Sequence, residues 1–185
     1  MKNNQQISKK LEKKITKTIM KKTTINIFSE NIHENIEINQ KKAIDNARNI
    51  FQKYLEQDFI NNSAIAGFDF NTISFDILYC DNEKTHSVNK EYRNKDYIAD
   101  IITFAIFADS EEKFIFDGEI NLGEIIISLD KVNENSQKNS TTLEHELYFL
   151  ISHGIMHLLG FDHQTEDDYN FVINAQNQAL QELNL

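Results

Sequence analysis

The stretch from His153 to His163 places three of the chain's six histidines in eleven residues, with the spacing H-x3-H-x5-H. With residues 141–159 helical, His153 and His157 lie one turn apart on the same face, so two ring nitrogens can reach one ion. Gly160 then ends the helix. A glycine there takes the left-handed conformation that reverses the chain and swings His163 back toward the first two imidazoles. Three imidazoles leave one corner of a zinc tetrahedron for water. That is the arrangement of a catalytic zinc, whose bound water has its pKa lowered toward roughly 7.

An isolated histidine, or an i, i+4 pair, is commonly surface or core. The third imidazole behind a helix-ending glycine is what points to a metal. In the protease motif H-E-x-x-H, the residue after the first histidine is a glutamate acting as general base. Here that position is Gly154, so a zinc peptidase mechanism lacks its base.

The same residues resemble the YbeY endoribonucleases, bacterial rRNA maturation factors with the signature H-G-x-x-H-L-x-G-[YF]-D-H. Every fixed position of that signature is matched from His153 to His163. A second family segment, roughly N-x-x-[YF]-R-x-K-D-x-P-T-D-V-L-S-F, is similar to Asn89 to Phe104. Arg93, Asp96 and Asp100 are kept there, while Ile98, Ala99 and Thr103 replace the proline, threonine and serine. Leu122 to Ser128 resembles the family's L-G-D-I-x-I-[SC] strand, with Glu124 for the aspartate. The likeness runs over about residues 25 to 183.

It implies a zinc-dependent, single-strand-specific endoribonuclease of rRNA processing, maturing the 3′ end of 16S rRNA and serving ribosome quality control. The implied partners are single-stranded RNA, rRNA and the small ribosomal subunit. One Zn2+ would be held by His153, His157, His163 and a water. Arg93 would belong to the active site, where a guanidinium forks across two phosphate oxygens and offsets charge growing in the transition state. Taken alone, Arg93 reads first as a salt-bridge partner of a neighbouring carboxylate, and it is the resemblance that reverses this. Glu124 reads as a solvent-facing carboxylate or, through the resemblance, as a site residue.

With 185 residues and 40% hydrophobic content, the chain suits one domain. Cys80 is the only cysteine, which excludes an intrachain disulfide and reads as buried and inert. No apolar run approaches the roughly 20 residues of a membrane span, and a cytoplasmic location is expected. The net charge is −10, yet residues 1 to 24 carry eight lysines against one glutamate, +7, which leaves −17 for the remainder. Residues 1–24 therefore read as a basic, disordered or transiently helical extension, and residues 25–185 as the metallohydrolase domain.

Elements that position the histidines follow from periodicity. Strands are expected at Ile25 to Phe28, near Ile36 to Ile38, from Ile73 to Tyr79, from Ile101 to Phe107, briefly at Phe114 to Phe116 and, centrally, from Leu122 to Leu129. An amphipathic helix is expected from Asn39 to Ile60. Asp81 caps a helix through Tyr92, and Asn133 to Asn139 reads as a loop. Thr141-x-x-Glu144 reads as a capping box for the histidine helix, and Thr165-x-x-Asp168 as the cap of a last helix in which Val172, Gln176 and Leu180 keep helical spacing. His33 reads as surface, His86 as solvent-facing or packed, His145 as too far from His153 to share an ion, and Tyr92 as half-buried.

Together these predict an α+β domain: a mixed β-sheet packed with helices, with the three-histidine metal site at the edge of a cleft. Gly-rich phosphate loops, a G-x-S-x-G elbow and C-x-x-C pairs are absent. Two other readings stay open: a metal-dependent hydrolase of another substrate, and a non-catalytic ribosome assembly factor in which zinc orders the fold.

Overall fold

The computed structural model describes residues 23–185. The expected disordered or transiently helical state of residues 1–24 falls outside this range as far as residue 22, and Thr24, its last residue, instead opens the first strand. Four strands, β1 (Thr24–Asn31), β2 (Thr72–Cys80), β3 (Ile101–Phe104) and β4 (Glu119–Ser128), are joined by helices. These are α1 (Gln40–Leu55), α2 (Asn82–Arg93), the single turn α3 (Ile106–Asp109), α4 (Leu129–Asn139), α5 (Leu143–Leu158) and α6 (Glu166–Leu183). The sheet order is β1-β2-β4-β3, parallel except for the antiparallel β3–β4 pair. This is the mixed α+β sheet that the periodicities predict, with β4 in its interior.

Both sheet faces are covered in part. The main core lies between the sheet and α1, α5 and α6, where Ile50, Phe51, Phe75, Ile125, Ile151 and Ile155 are completely buried. On α1, Ala43, Ala47, Ile50, Phe51 and Tyr54 recur at helical spacing on the buried face, and the Asn39 side chain accepts a hydrogen bond from the Lys42 N–H to start the helix. A smaller cluster on the other face joins Val88 of α2 to Cys80, Ala99, Ile102 and Ile126. Burial pushes the Cys80 thiol up to about 12, so it stays protonated.

The chain departs from the expected elements where side chains replace ladder hydrogen bonds. Ile36 to Ile38 is not a strand: Asn31 Nδ2 donates to the Ile36 carbonyl and His33 Nδ1 accepts from the Ile36 N–H. Both main-chain groups are thereby satisfied locally. His33 is not a surface residue, since its ring is 6% exposed and its Nε2 lies 3.0 Å from Asp130 Oδ1.

β3 stops at Phe104 rather than continuing to Phe107, and the next residues turn into α3. Opposite this point β4 bulges at Gly123, whose φ is +124°, and the Phe104 carbonyl passes closer to Gly123 than a Cβ would allow. Phe114 to Phe116 contributes only a bridge between Phe116 and Glu119, closed by an Asp117-Gly118 turn with both φ values positive.

Residues 133–139 are helical, not a loop. Ser128 caps α4, and its buried stripe is Leu129, Val132 and Ser136, a spacing hidden from hydropathy by the serine, whose hydroxyl donates to the Asn133 carbonyl.

Gly154 has a packing role that its place in the motif does not suggest. A Cβ there would lie 2.8 Å from Ile125 Cδ1, so the missing side chain lets α5 settle on β4. Gly154→Glu, which would spell the protease motif, is expected to destabilise the fold by more than about 3 kcal/mol, because it forces an unpaired carboxylate into the core. Urea denaturation checks this; an unchanged midpoint would mean that α5 has room to retreat.

Candidate metal centre

α5 starts one residue later than the expected capping box. Thr142, not Thr141, caps it by accepting from the His145 N–H, while Thr141 donates to Glu146 and Glu144 pairs with Lys42. Ten of its residues are buried, from Glu146 to Leu158, which anchors the histidine-bearing turn.

Its end matches the prediction. Gly160 has φ +86°, the Gly160 N–H donates to the His157 carbonyl at 2.8 Å, and the Phe161 N–H donates to the Met156 carbonyl at 3.0 Å. This paired reversal is a Schellman motif. It turns the chain so that His163 meets the helical pair.

The three imidazoles converge through their Nε2 atoms. His157 Nε2 lies 3.0 Å and His163 Nε2 3.4 Å from His153 Nε2. Two nitrogens bound to one tetrahedral zinc at about 2.0–2.1 Å stand roughly 3.3–3.4 Å apart, so the triangle is close to the size that an ion needs. In the tautomers that leave all three Nε2 atoms bare, their lone pairs repel at this distance, and a shared cation would relieve that. The half-buried set is the one three-residue group among the described residues that could hold a metal ion. His145, two turns earlier, is not in it.

Burial holds His157 down to about 4, with the neighbouring His153 and His163 adding to the effect. His153 is lowered as well, chiefly by burial, while its contact with Gln176 pulls it back up. Both rings therefore offer neutral nitrogens at neutral pH. For the metal-free protein the sign of the pH dependence follows. An unfolded His157 takes up its proton near the ordinary 6.5 and the folded one only near 4, so the unfolded state binds more protons between these values. Stability present above pH 6.5 should fall as pH drops to about 4, by on the order of 3 kcal/mol. Urea titrations of chelated protein across that window measure it, and a flat profile would mean that the folded ring protonates freely.

The histidines form one wall of a cleft of about 410 Å3, also lined by Arg93, Lys95, Thr103, Asp109 and Asp162. Asp81 caps α2 as expected, and Arg93 is its last residue. Arg93 Nη2 donates to the Thr103 carbonyl at 2.9 Å. Among the described residues it pairs with no carboxylate, so the salt-bridge reading is not realised. The rest of its fork is free for an anion.

The loop after Arg93 is held from beneath by Asn89, which is 1% exposed; its Nδ2 donates to the Tyr97 carbonyl and its own carbonyl accepts from the Lys95 N–H. Asp96 binds His86 and Lys90, and Asp100 accepts from the Ile101 N–H at the start of β3. Tyr92 is 64% exposed rather than half-buried, its ring edge against Phe104.

Glu124 does not line this cleft. It shares a separate surface with Phe28, Glu30, Asp76 and Leu78, and burial followed by repulsion from Asp76 raises its pKa. Asn89 is the asparagine that opens the matched family segment, though nothing local shows its supporting role. Gln176 was not legible as a site residue; its one signal is a polar side chain at a position where the helical stripe calls for an apolar one.

A sequence model of the family described as Endoribonuclease YbeY matches residues 28–184. The chain is 40% identical over 110 residues to Endoribonuclease YbeY of Malacoplasma penetrans, covering 60% of this chain and 70% of the relative. It is 33% identical over 167 residues to that of Acetivibrio thermocellus, covering 86% and 97%. The solution structure of TM1509 from Thermotoga maritima shares the fold at a TM-score of 0.51 and 18% identity, covering 87% of this chain and 92% of that one. The histidine geometry, the mixed sheet and the match across 28–184 agree: this chain belongs to the YbeY endoribonuclease family.

Proposed function

We propose that this protein is a zinc-dependent endoribonuclease of single-stranded RNA, acting in the cytoplasm in rRNA processing, including 3′-end maturation of 16S rRNA, and in ribosome quality control on the small subunit. The observation that carries the chemistry is the convergence of three imidazole nitrogens in one cleft with a guanidinium that pairs with no carboxylate among the described residues. RNA as substrate is supported by the names of the relatives.

His153, His157 and His163 would hold the ion through Nε2. A zinc ion held there would supply Lewis acidity, enough to make water a nucleophile near neutral pH. Arg93 receives the phosphodiester, its free N–H groups forking across two non-bridging oxygens, with Lys95 as a second cation along the same wall. The Thr103 carbonyl fixes the guanidinium, so little reorganisation is needed as negative charge builds. Gly154 leaves α5 without the glutamate base of the zinc peptidases, which favours phosphodiester over peptide chemistry.

The test is cleavage of labelled single-stranded RNA and a duplex control by protein of known elemental content, before chelation, after it and with zinc restored. Cleavage of the single strand alone, lost with zinc and regained with it, is expected. Undiminished cleavage by verified metal-free protein would reject the reading.

The lysines of residues 1 to 24 belong to this proposal as a separate RNA-binding extension. The remaining chain, at −17, repels a polyanion overall, and eight lysines on phosphates release counterions. A chain beginning at Thr24 should bind RNA more weakly, with a shallower dependence on salt and unchanged zinc content. Superimposable salt titrations would make the extension a passive one.

A further inference from the structure

Gln176 of α6 is fully buried, and both ends of its amide are engaged by α5. Nε2 donates to the Phe149 carbonyl at 3.1 Å, and Oε1 lies 3.1 Å from His153 Nδ1. A main-chain carbonyl only accepts, so the amide nitrogen must be the end that faces Phe149. The reversed amide would set its oxygen against the Phe149 carbonyl oxygen, leaving the buried Gln176 oxygen without a donor. With the amide fixed, Oε1 is the atom offered to His153. It can only accept, so the hydrogen between them must sit on His153 Nδ1. A neutral imidazole carries one ring hydrogen. The bare lone pair is therefore on Nε2, the atom that points at His157 and His163.

We infer that Gln176 is a positioning residue: it holds His153 in the Nδ1–H tautomer and at the ring angle that presents Nε2 as a metal ligand. The Phe149 carbonyl acts as the reference that orients Gln176 itself. The inference rests on the metal reading for its purpose, but the tautomer can be measured without metal. Gln176 acts through His153 and touches neither ion nor substrate. A hydrogen-bond partner of this kind keeps a ligating imidazole from rotating and raises its basicity. Here the partner is an uncharged amide, which adds no negative charge to the cluster.

The experiment uses the full chain. In the metal-free protein at slightly alkaline pH, long-range nitrogen–proton NMR correlations of the imidazole rings report which nitrogen of His153 bears the hydrogen. Wild type should show Nδ1–H alone. Gln176→Leu, close in volume but without an acceptor, should admit the Nε2–H form and weaken zinc binding by about 10- to 100-fold in competition with a chelator. Gln176→Glu restores an acceptor at Nδ1, and if protonated also a donor toward Phe149, so it should recover the Nδ1–H form and most of the affinity.

A role confined to packing would lower thermal stability in the leucine variant and leave the tautomer and zinc affinity of the folded protein unchanged, which overturns the inference. An Nε2–H form in wild type overturns it as well, whether or not the leucine variant folds. Absence of zinc binding by wild type with the Nδ1–H form present would instead count against the metal reading.

Discussion

His157→Ala is expected to lose stoichiometric zinc, and His145→Ala to keep it. Removing one of three nitrogens leaves a two-ligand site whose affinity is lower by orders of magnitude, whereas the donors that remain in the second variant are untouched. His157 Nε2 lies within 3.0 Å of His153 Nε2. His145 is eight residues earlier on α5, about 12 Å away at 1.5 Å per residue. Elemental analysis after exhaustive desalting, with circular dichroism to verify folding, decides between them. Equal zinc in wild type and the His157 variant would place the ion elsewhere.

Arg93→Lys is expected to keep zinc and fold while losing about 100-fold or more in RNA turnover. One N–H of the guanidinium is already committed to the Thr103 carbonyl, and the planar fork still has others to aim at two phosphate oxygens. An ammonium is a point donor on a flexible stem. It cannot serve the β3 carbonyl and clamp a phosphate in a fixed plane together, and losing one preoriented donor typically costs two to three orders of magnitude. Single-turnover cleavage with matched zinc content is the measurement. Unchanged turnover would reduce Arg93 to a tie between α2 and β3.

What was legible in the sequence was local. The three histidines, the reversal at Gly160, the Asp81 cap and the Thr165–Asp168 capping box each depend on residues within a turn or two of one another, and short spacing carries that information. Elements decided by distant partners were not legible. Ile101 to Phe107 has the composition of one strand, but the bulge at Gly123 on the neighbouring strand ends the pairing. Ser136 hides the stripe of α4, and Thr142 takes the cap that Thr141 seemed to hold because Thr141 is spent on the buried Glu146. Gln176 is 23 residues from His153, with a helix terminus and a loop between them, so no local pattern connects the two.

The bond from Arg93 to Thr103 bears on how this site tolerates inherited change. Its acceptor is a main-chain carbonyl, which every amino acid supplies. Substitutions at position 103 that keep β3 extended would leave this acceptor in place for the guanidinium. The serine of the family pattern and the threonine of this chain both supply that carbonyl. On that wall of the cleft, the bond to Arg93 constrains the path of the β3 backbone rather than the side chain it displays.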